Sequence, residues 1–579
     1  MSAVRRRFTL VLSVALLVSV GILGLAQVKN PDVVTWATSW SADTMDPAGT
    51  YYAVGLSGAQ CMYDSLVIYG EDGSFIPVLA TAVPTVANGL ISEDGLTYTF
   101  QIRDDVTFHN GDLMTPEDVE YSIERTMVLD PPGGPVWCIL TPLLGVSTTR
   151  ADGELQVTYE QIDAAVEVDG LNVIFHLAKQ YPPFLDVIAG TWCSVVNKDW
   201  VIAQGGWSGT GADWIDFNGI KKEESVLFNA VNGTGAFEFV RWEKGMELVM
   251  TRNDDYFRGA AQFVTAQIRS IPEWSTQKLL FQQGDIDFMA PPRDVLPQIE
   301  EMEDASIVNV LTPSVYGMVF NQAISETSEH IGSGQLDGNG IPGDFFTDVN
   351  VRKGFNCAFD WDALINEVHD GNARQLRGPI PEGVRYQNPD QEVYSLDLAK
   401  AESYLRASWG GEVWDNGFEF TVPYIEGYGD QLASIEILAS NLRSINPKFV
   451  IHTQALLQSK YVPDQDRRVF PINMSQMDGD FLDPDNAAVG VFMEGTFGHG
   501  LDAGITGYAE LVVRGRFEAN PETRRQIYFL LQQLAYQDAI AIFTVQPTYA
   551  VAIQDTLHGW YAHPPQWPMV PYFYPVWKE

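Results

Sequence analysis

Residues 96–103, LTYTFQIR, alternate apolar and polar side chains without a break, and residues 171–177, LNVIFHL, repeat the pattern. Period-two alternation is the mark of a strand with one buried face, so Leu96, Tyr98, Phe100 and Ile102 are expected on one side of an antiparallel sheet. Between the two lies TPEDVEYSIERTMV, where Thr115 is a good N-cap and Pro116 a good first helical residue. Acids follow in the first turn, and Val119, Ile123 and Met127 share one helical face. This order of strand, capped helix and strand confines the chain to mixed α/β architectures.

The pattern continues along the chain. VVTWATSW (33–40), ELVMTR (247–252), YGMVFN (316–321) and FEFTVPYI (418–425) read as strands. STQKLLFQQG, VNVRKGFNCAFD, WDALINEVHDG, SLDLAKAESYLRASWGG and LASIEILASNLRSI read as helices, several ending at glycine. In NPETRRQIYFLLQQLAYQDA, Asn520 caps, Pro521 opens, and Ile527, Leu530, Leu531 and Leu534 form the expected buried stripe. The tail TVQPTYAVAIQDTLHGW is strand-like again. Residues 205–235 and the insertion SETSEHIGSGQLDGNGIPGDF carry neither period and read as loops, with DGNG a glycine-rich turn in preference to a calcium loop.

At 579 residues the chain exceeds one domain. Its 75 acidic and 35 basic residues leave a net charge of -40, which argues against nucleic acid and anionic lipid as partners. MSAVRRRFTLVLSVALLVSVGILGLAQ has three arginines, an apolar run and small residues, which reads as a signal peptide over 1–26, with a retained membrane anchor as the alternative. Export permits disulfides, and the four cysteines (Cys61, Cys138, Cys193, Cys357) allow three full pairings that sequence cannot choose among, while Cys357 reads as a buried thiol. No nucleophile elbow, zinc motif or P-loop is present, so no catalytic residue, metal site or cofactor is expected. QMDGDFLDPDN (476–486) packs four aspartates around apolar residues, and on its own admits a solvated turn, a metal loop or a carboxylate aimed at a cation.

Several blocks, in order, resemble one family. CMYDSLVIYGEDGSFIPVLA, SEDGLTYTFQIRDDVTFHNGDLMTPEDVEYSIERTM, GTGAFEFVRWEKGMELVMTRNDDYFRG, STQKLLFQQGDIDF, DVNVRKGFNCAFDWDALINEV and GPIPEGV are similar to segments of the family 5 extracellular solute-binding proteins of ABC transporters, which bind dipeptides, oligopeptides or nickel. The resemblance implies a two-lobed periplasmic-binding-protein fold, type II-like, with an extra subdomain inserted in lobe one. On that pattern residues 33–60, 233–312 and 545–579 form the core of lobe one, 61–232 the insertion and 313–544 lobe two. It also implies a monomer that captures a small solute between the lobes, delivers it to a permease at the outer face of the membrane, and performs no chemistry.

In peptide-binding members an aspartate four residues before the proline of an acidic turn pairs with the ligand's α-ammonium group. Pro484 is that proline, so Asp480 is the expected amine anchor, with Asp483 and Asp485 shaping the turn and Asp478 solvated. Trp40 and Asp43 leave the first strand where members contact ligand, although Trp40 also fits a core aromatic. Tyr316 and Asn321 flank the strand entering lobe two. Arg374 borders the cleft, as a carboxylate partner or a solvated loop residue. Dipeptide binders carry an arginine after the strand corresponding to FTVPYI; here YIEGYGD offers Glu426 and no base. That leaves room for longer peptides, or for an oligosaccharide stacked on Trp36, Trp40 or Trp207. A secreted hydrolase or a metallophore binder is the reading outside these.

Overall fold

The computed structural model describes residues 29–493, 507–563 and 570–579. The expected signal peptide lies outside the described residues. Among them no helix is long and apolar enough to cross a membrane.

The first lobe is built on an eight-stranded mixed sheet in the order Ala305–Leu311, Val545–Gln554, Phe288–Met289, Val33–Thr38, Thr265–Ser270, Glu247–Arg252, Phe237–Glu243, with Ala373–Gln375 paired to Val545–Gln554 off this path. Val33–Thr38 runs parallel to both of its neighbours. Its five residues Val34–Thr38 are all buried, as a central strand covered on both faces requires. A separate antiparallel sheet holds Thr97–Gln101, Asn172–His176 and Val166–Asp169. Tyr98, Phe100 and Ile102 are buried, whereas Leu96 is only partly covered. The helix Pro116–Leu129 packs on this unit through Val119, Ile123 and Met127, and Thr115 and Asp118 close a capping box at its start. One continuous apolar cluster joins this unit to the large sheet.

The second lobe centres on Val315–Phe320, antiparallel to Ile472–Met477 and Ala541–Phe543. Beside it Phe418–Ile425 and Phe449–Leu456 pair in parallel, joined by the crossover helix Gly429–Ile445. Phe320, Phe346, Phe355, Phe418 and Phe420 stack edge and face in its core. In the helix Pro521–Gln537, Asn520 caps through its side chain and Ile527 and Leu531 are buried. Leu530 departs from the expected stripe: it is 40% exposed, because a straight 3.6-residue helix turns it away from the face set by Ile527 and Leu531.

The lobes are joined side by side at 311–315 and 543–545. There the Gln546 amide donates to the carbonyl of Thr312 at 2.6 Å and the Thr312 hydroxyl donates to the carbonyl of Pro547 at 3.2 Å. Val545–Gln554 then carries the tail back into the large sheet, antiparallel to Ala305–Leu311. All four cysteines are free and buried.

Gly233 and Gly235 lie against the end of the helix Ala53–Met62. A Cβ on Gly235 would stand 2.4 Å from the Met62 carbonyl carbon and 2.5 Å from the Cys61 carbonyl oxygen. Both are backbone atoms and cannot swing aside, so Gly235→Ala is expected to destabilise the protein by about 1–3 kcal/mol in urea unfolding. An unchanged midpoint would mean that the loop shifts freely.

Candidate functional site

QMDGDFLDPDN begins at the end of the strand Ile472–Met477 and runs into the helix Pro484–Phe492. Its four aspartates separate into two kinds. Asp483 caps the helix by accepting from the amide of Asp485, and its carboxylate accepts two hydrogen bonds from Arg524, at 2.7 and 2.6 Å. Asp485 accepts from Arg516 Nε at 3.0 Å and from the Tyr181 hydroxyl at 3.1 Å. These two are buried structural charges, each neutralised by an arginine.

Asp478 and Asp480 are different. Among the described residues neither pairs with a lysine or arginine. Asp478 accepts from the Ser314 hydroxyl at 2.6 Å and from the Gln476 amide at 3.1 Å. It is half-buried and not solvated as expected, because the strand Val315–Phe320 brings Ser314 against it, and burial pushes its carboxyl up to about 6. Asp480 accepts from the Asn486 amide at 3.0 Å and from the Tyr51 hydroxyl, and burial raises its pKa as well.

Tyr51 belongs to the other lobe, just before the helix Ala53–Met62. Its hydroxyl also receives the Trp137 indole N–H at 3.4 Å, and Trp137 packs on Phe481 with ring centroids 6.3 Å apart. Asp480 therefore stands at the seam between the lobes, facing hydroxyl and aromatic groups, with no neutralising charge among the described residues. The seam is fastened nearby by Arg385, which bridges Asp186 of the first lobe and Asp483 of the second. The Tyr69 hydroxyl donates to Asp186 at 2.6 Å. Sequence reasoning missed Tyr51, Trp137, Asp186 and Arg385. Tyr51 alone carried a signal, through its place in the loop that follows the first strand and contains Asp43.

The remaining expected contacts scatter. Trp40 is 43% exposed at the end of the first strand and not a core residue. Asp43 is already matched by Lys222 at 2.8 Å and by the Thr50 hydroxyl at 2.8 Å. Tyr316 is half-buried, its hydroxyl 3.5 Å from that of Tyr549. Asn321 corrects the expectation: it is fully buried and its amide donates to the carbonyls of Arg468 and Phe470, at 3.1 and 2.9 Å, which places it in the scaffold. Arg374 lies on the strand Ala373–Gln375 and not in a loop, with its side chain exposed and paired with Glu382. Trp36 stacks on Phe288 and Trp207 on Tyr121, both fully buried, so neither offers a face to a sugar. In DGNG, Asp337 accepts from the amide of Asn339 and the hydroxyl of Ser333, both at 2.8 Å, as a turn does. Among the described residues no cluster of three His, Cys, Asp or Glu is placed to hold a metal.

The chain is similar to known proteins along most of its length. A D,D-dipeptide-binding periplasmic protein, DdpA, described as probable, from Escherichia coli K12 is 22% identical over 92% of each chain. The solved structure of a periplasmic binding protein, DppA, from Helicobacter pylori in complex with the peptide STSA superposes with a TM-score of 0.69 at 20% identity, covering 94% of this chain and 98% of that one. NikA from Brucella suis, in complex with Fe(III)-EDTA, gives a TM-score of 0.73 at 18% identity over 94% and 100% of the two chains. Relatives with such different ligands establish the two-lobed fold without choosing a ligand. Residues 74–497 match the family described as "Bacterial extracellular solute-binding proteins, family 5 Middle", and the chain belongs to that family.

Proposed function

We propose that this solute-binding protein captures a peptide by its free α-ammonium group on Asp480. The single observation that carries the reading is a half-buried carboxylate at the lobe seam that has hydrogen-bond donors but no cation among the described residues. Such a group is stabilised most by a positive ligand atom that reaches it when the lobes close. The ammonium displaces or shares the Tyr51 hydroxyl, so ligand touches both lobes and favours the closed state. The names of DdpA and the STSA complex of DppA support a peptide. An oligosaccharide is less favoured, because Trp36 and Trp207 are buried.

We infer a lobe division of 33–60, 233–312 and 545–579 for the first core, 61–232 for its insertion and 313–544 for the second lobe, from which Ala373–Gln375 reaches over to pair with the first lobe's sheet. The protein acts as an exported monomer, handing its ligand to an ABC permease at the outer face of the membrane, and binds without turnover. Titration calorimetry against peptides with free and acetylated N-termini tests this. Asp480→Asn is expected to weaken free-amine peptides by about tenfold to a hundredfold, corresponding to about 1.5–3 kcal/mol for a charge-assisted bond. Equal affinity for acetylated peptides, or binding of sugars alone, would remove Asp480 from the amine role.

A further inference from the structure

A second cavity with an acidic lining lies beside the same segment: Gln476, which donates to Asp478 at 3.1 Å, is among its walls. Tyr316 borders a cavity of about 20 Å³ together with Asp430, His369, Gln476 and Thr544. Asp430 opens the helix Gly429–Ile445, where the YIEGYGD loop ends. Its carboxyl is raised by burial, against the pull of the Gln431 amide and the more distant charge of Arg293, and no lysine or arginine is bonded to it among the described residues. His369 is 5% exposed, and neither ring nitrogen has a hydrogen-bond partner among the described residues. An unpartnered imidazole that deeply buried loses the hydrogen bonds it makes in water, so the cavity favours an occupant that donates to its acceptor nitrogen.

The arginines nearby make their hydrogen bonds to other groups, although the charge of Arg293 is felt by both Asp430 and His369. Arg293 donates to the carbonyls of His369, Asn372 and Thr548. Arg385, Arg516 and Arg524 serve Asp186, Asp483 and Asp485. Burial and the charge of Arg293 push His369 down to about 4, so at neutral pH it is uncharged and one ring nitrogen is an acceptor. The cavity therefore presents a carboxylate and an imidazole lone pair, with the Tyr316 and Thr544 side chains beside them. A volume of this size admits one group as large as a water molecule. A primary ammonium, with three donors on a compact head, meets that description; a planar guanidinium does not.

We propose that the cavity bounded by Asp430, His369 and Tyr316 receives a primary ammonium carried by the ligand, a lysyl side chain in a peptide, as a second cation besides the one on Asp480. This rests on the peptide reading above, and makes the preferred ligand a lysine-containing peptide.

Titration calorimetry of the purified protein with Lys-Ala-Ala, Ala-Lys-Ala and Ala-Ala-Lys tests it, each compared with its norleucine counterpart, which keeps the stem and lacks the charge. At least one lysine peptide is expected to bind tenfold or more tighter than its norleucine partner, and arginine in the same position to give no such gain. Asp430→Asn is expected to abolish the difference. Should all three lysine peptides match their norleucine partners while binding still depends on Asp480, the second site is refuted and the peptide reading stands. An arginine peptide equal to the lysine one refutes the primary-ammonium assignment. If no peptide binds but 1,5-diaminopentane does, and Asp430→Asn removes that binding, the ammonium site is upheld and the peptide reading falls. Binding of neither overturns both.

Discussion

Replacing Arg524 with methionine is expected to destabilise the protein by about 3–5 kcal/mol, the range seen when one partner of a buried ion pair is removed. Arg524 and Asp483 have side chains only 4% and 1% exposed, and they share two hydrogen bonds. Asp483 also caps the helix Pro484–Phe492, so an unpaired charge there weakens the segment that positions Asp480. The other arginine near it, Arg385, stands 3.6 Å away and is held by Asp186 across the seam. Urea unfolding of the parent and Arg524→Met proteins measures the effect. Pairing it with Asp483→Asn is expected to recover a large part of the loss, because the charge is then removed from both sides. A loss under about 1 kcal/mol in the single variant would indicate that Arg385 turns to take over the pair.

Glu124→Gln is expected to act in the opposite direction, and only above acid pH. Glu124 is buried on the helix Pro116–Leu129. Burial, with repulsion from Glu120 and Asp163 outweighing attraction by Lys198, pushes its carboxyl from the ordinary 4.5 up to about 8. The folded state thus keeps a proton that the unfolded chain gives up. Stability from this group is complete below about pH 4.5 and falls as pH rises toward 8, because over that interval the native state binds more protons. At pH 7.5 the loss is about 4 kcal/mol. Glutamine removes the titration, so the variant gains stability at pH 7.5 and matches the parent near pH 4.5. Denaturant midpoints across that range read the difference directly. A difference that does not vary with pH would show that Glu124 ionises normally.

The elements were legible because they depend on local rules. Alternation placed Thr97–Gln101 and Asn172–His176, and their pairing follows from one buried face on each. Thr115 and Asn520 marked helix starts, because the unsatisfied amides of a first turn need an acceptor that a short polar side chain supplies. Where the apolar pattern was broader than the buried face, as at Leu530, packing decided which residues were covered.

The site was legible only in part. QMDGDFLDPDN announced an unusual density of carboxylate, and Asp480 could be singled out by its offset from Pro484. What distinguishes it from Asp483 and Asp485 is the arginine that each of those two receives, from Arg524, which lies 41 residues on, and from Arg516, which lies 31 residues on. The Tyr51 hydroxyl reaches Asp480 from 429 residues away. Tryptophans gave no guide either: Trp36, Trp40 and Trp207 look alike in sequence, yet two are core and one is exposed. The sequence by itself determined many of the strands, helices and caps and the density of negative charge, which follow from residue type and spacing, and the family, through the order of its blocks; strands such as Phe449–Leu456 and Ile472–Met477 carried no clear alternation. Only the tertiary structure decided which carboxylates are neutralised by arginine and which have no such partner among the described residues, because burial and long-range partners, not neighbours in the chain, set the electrostatic state of a side chain.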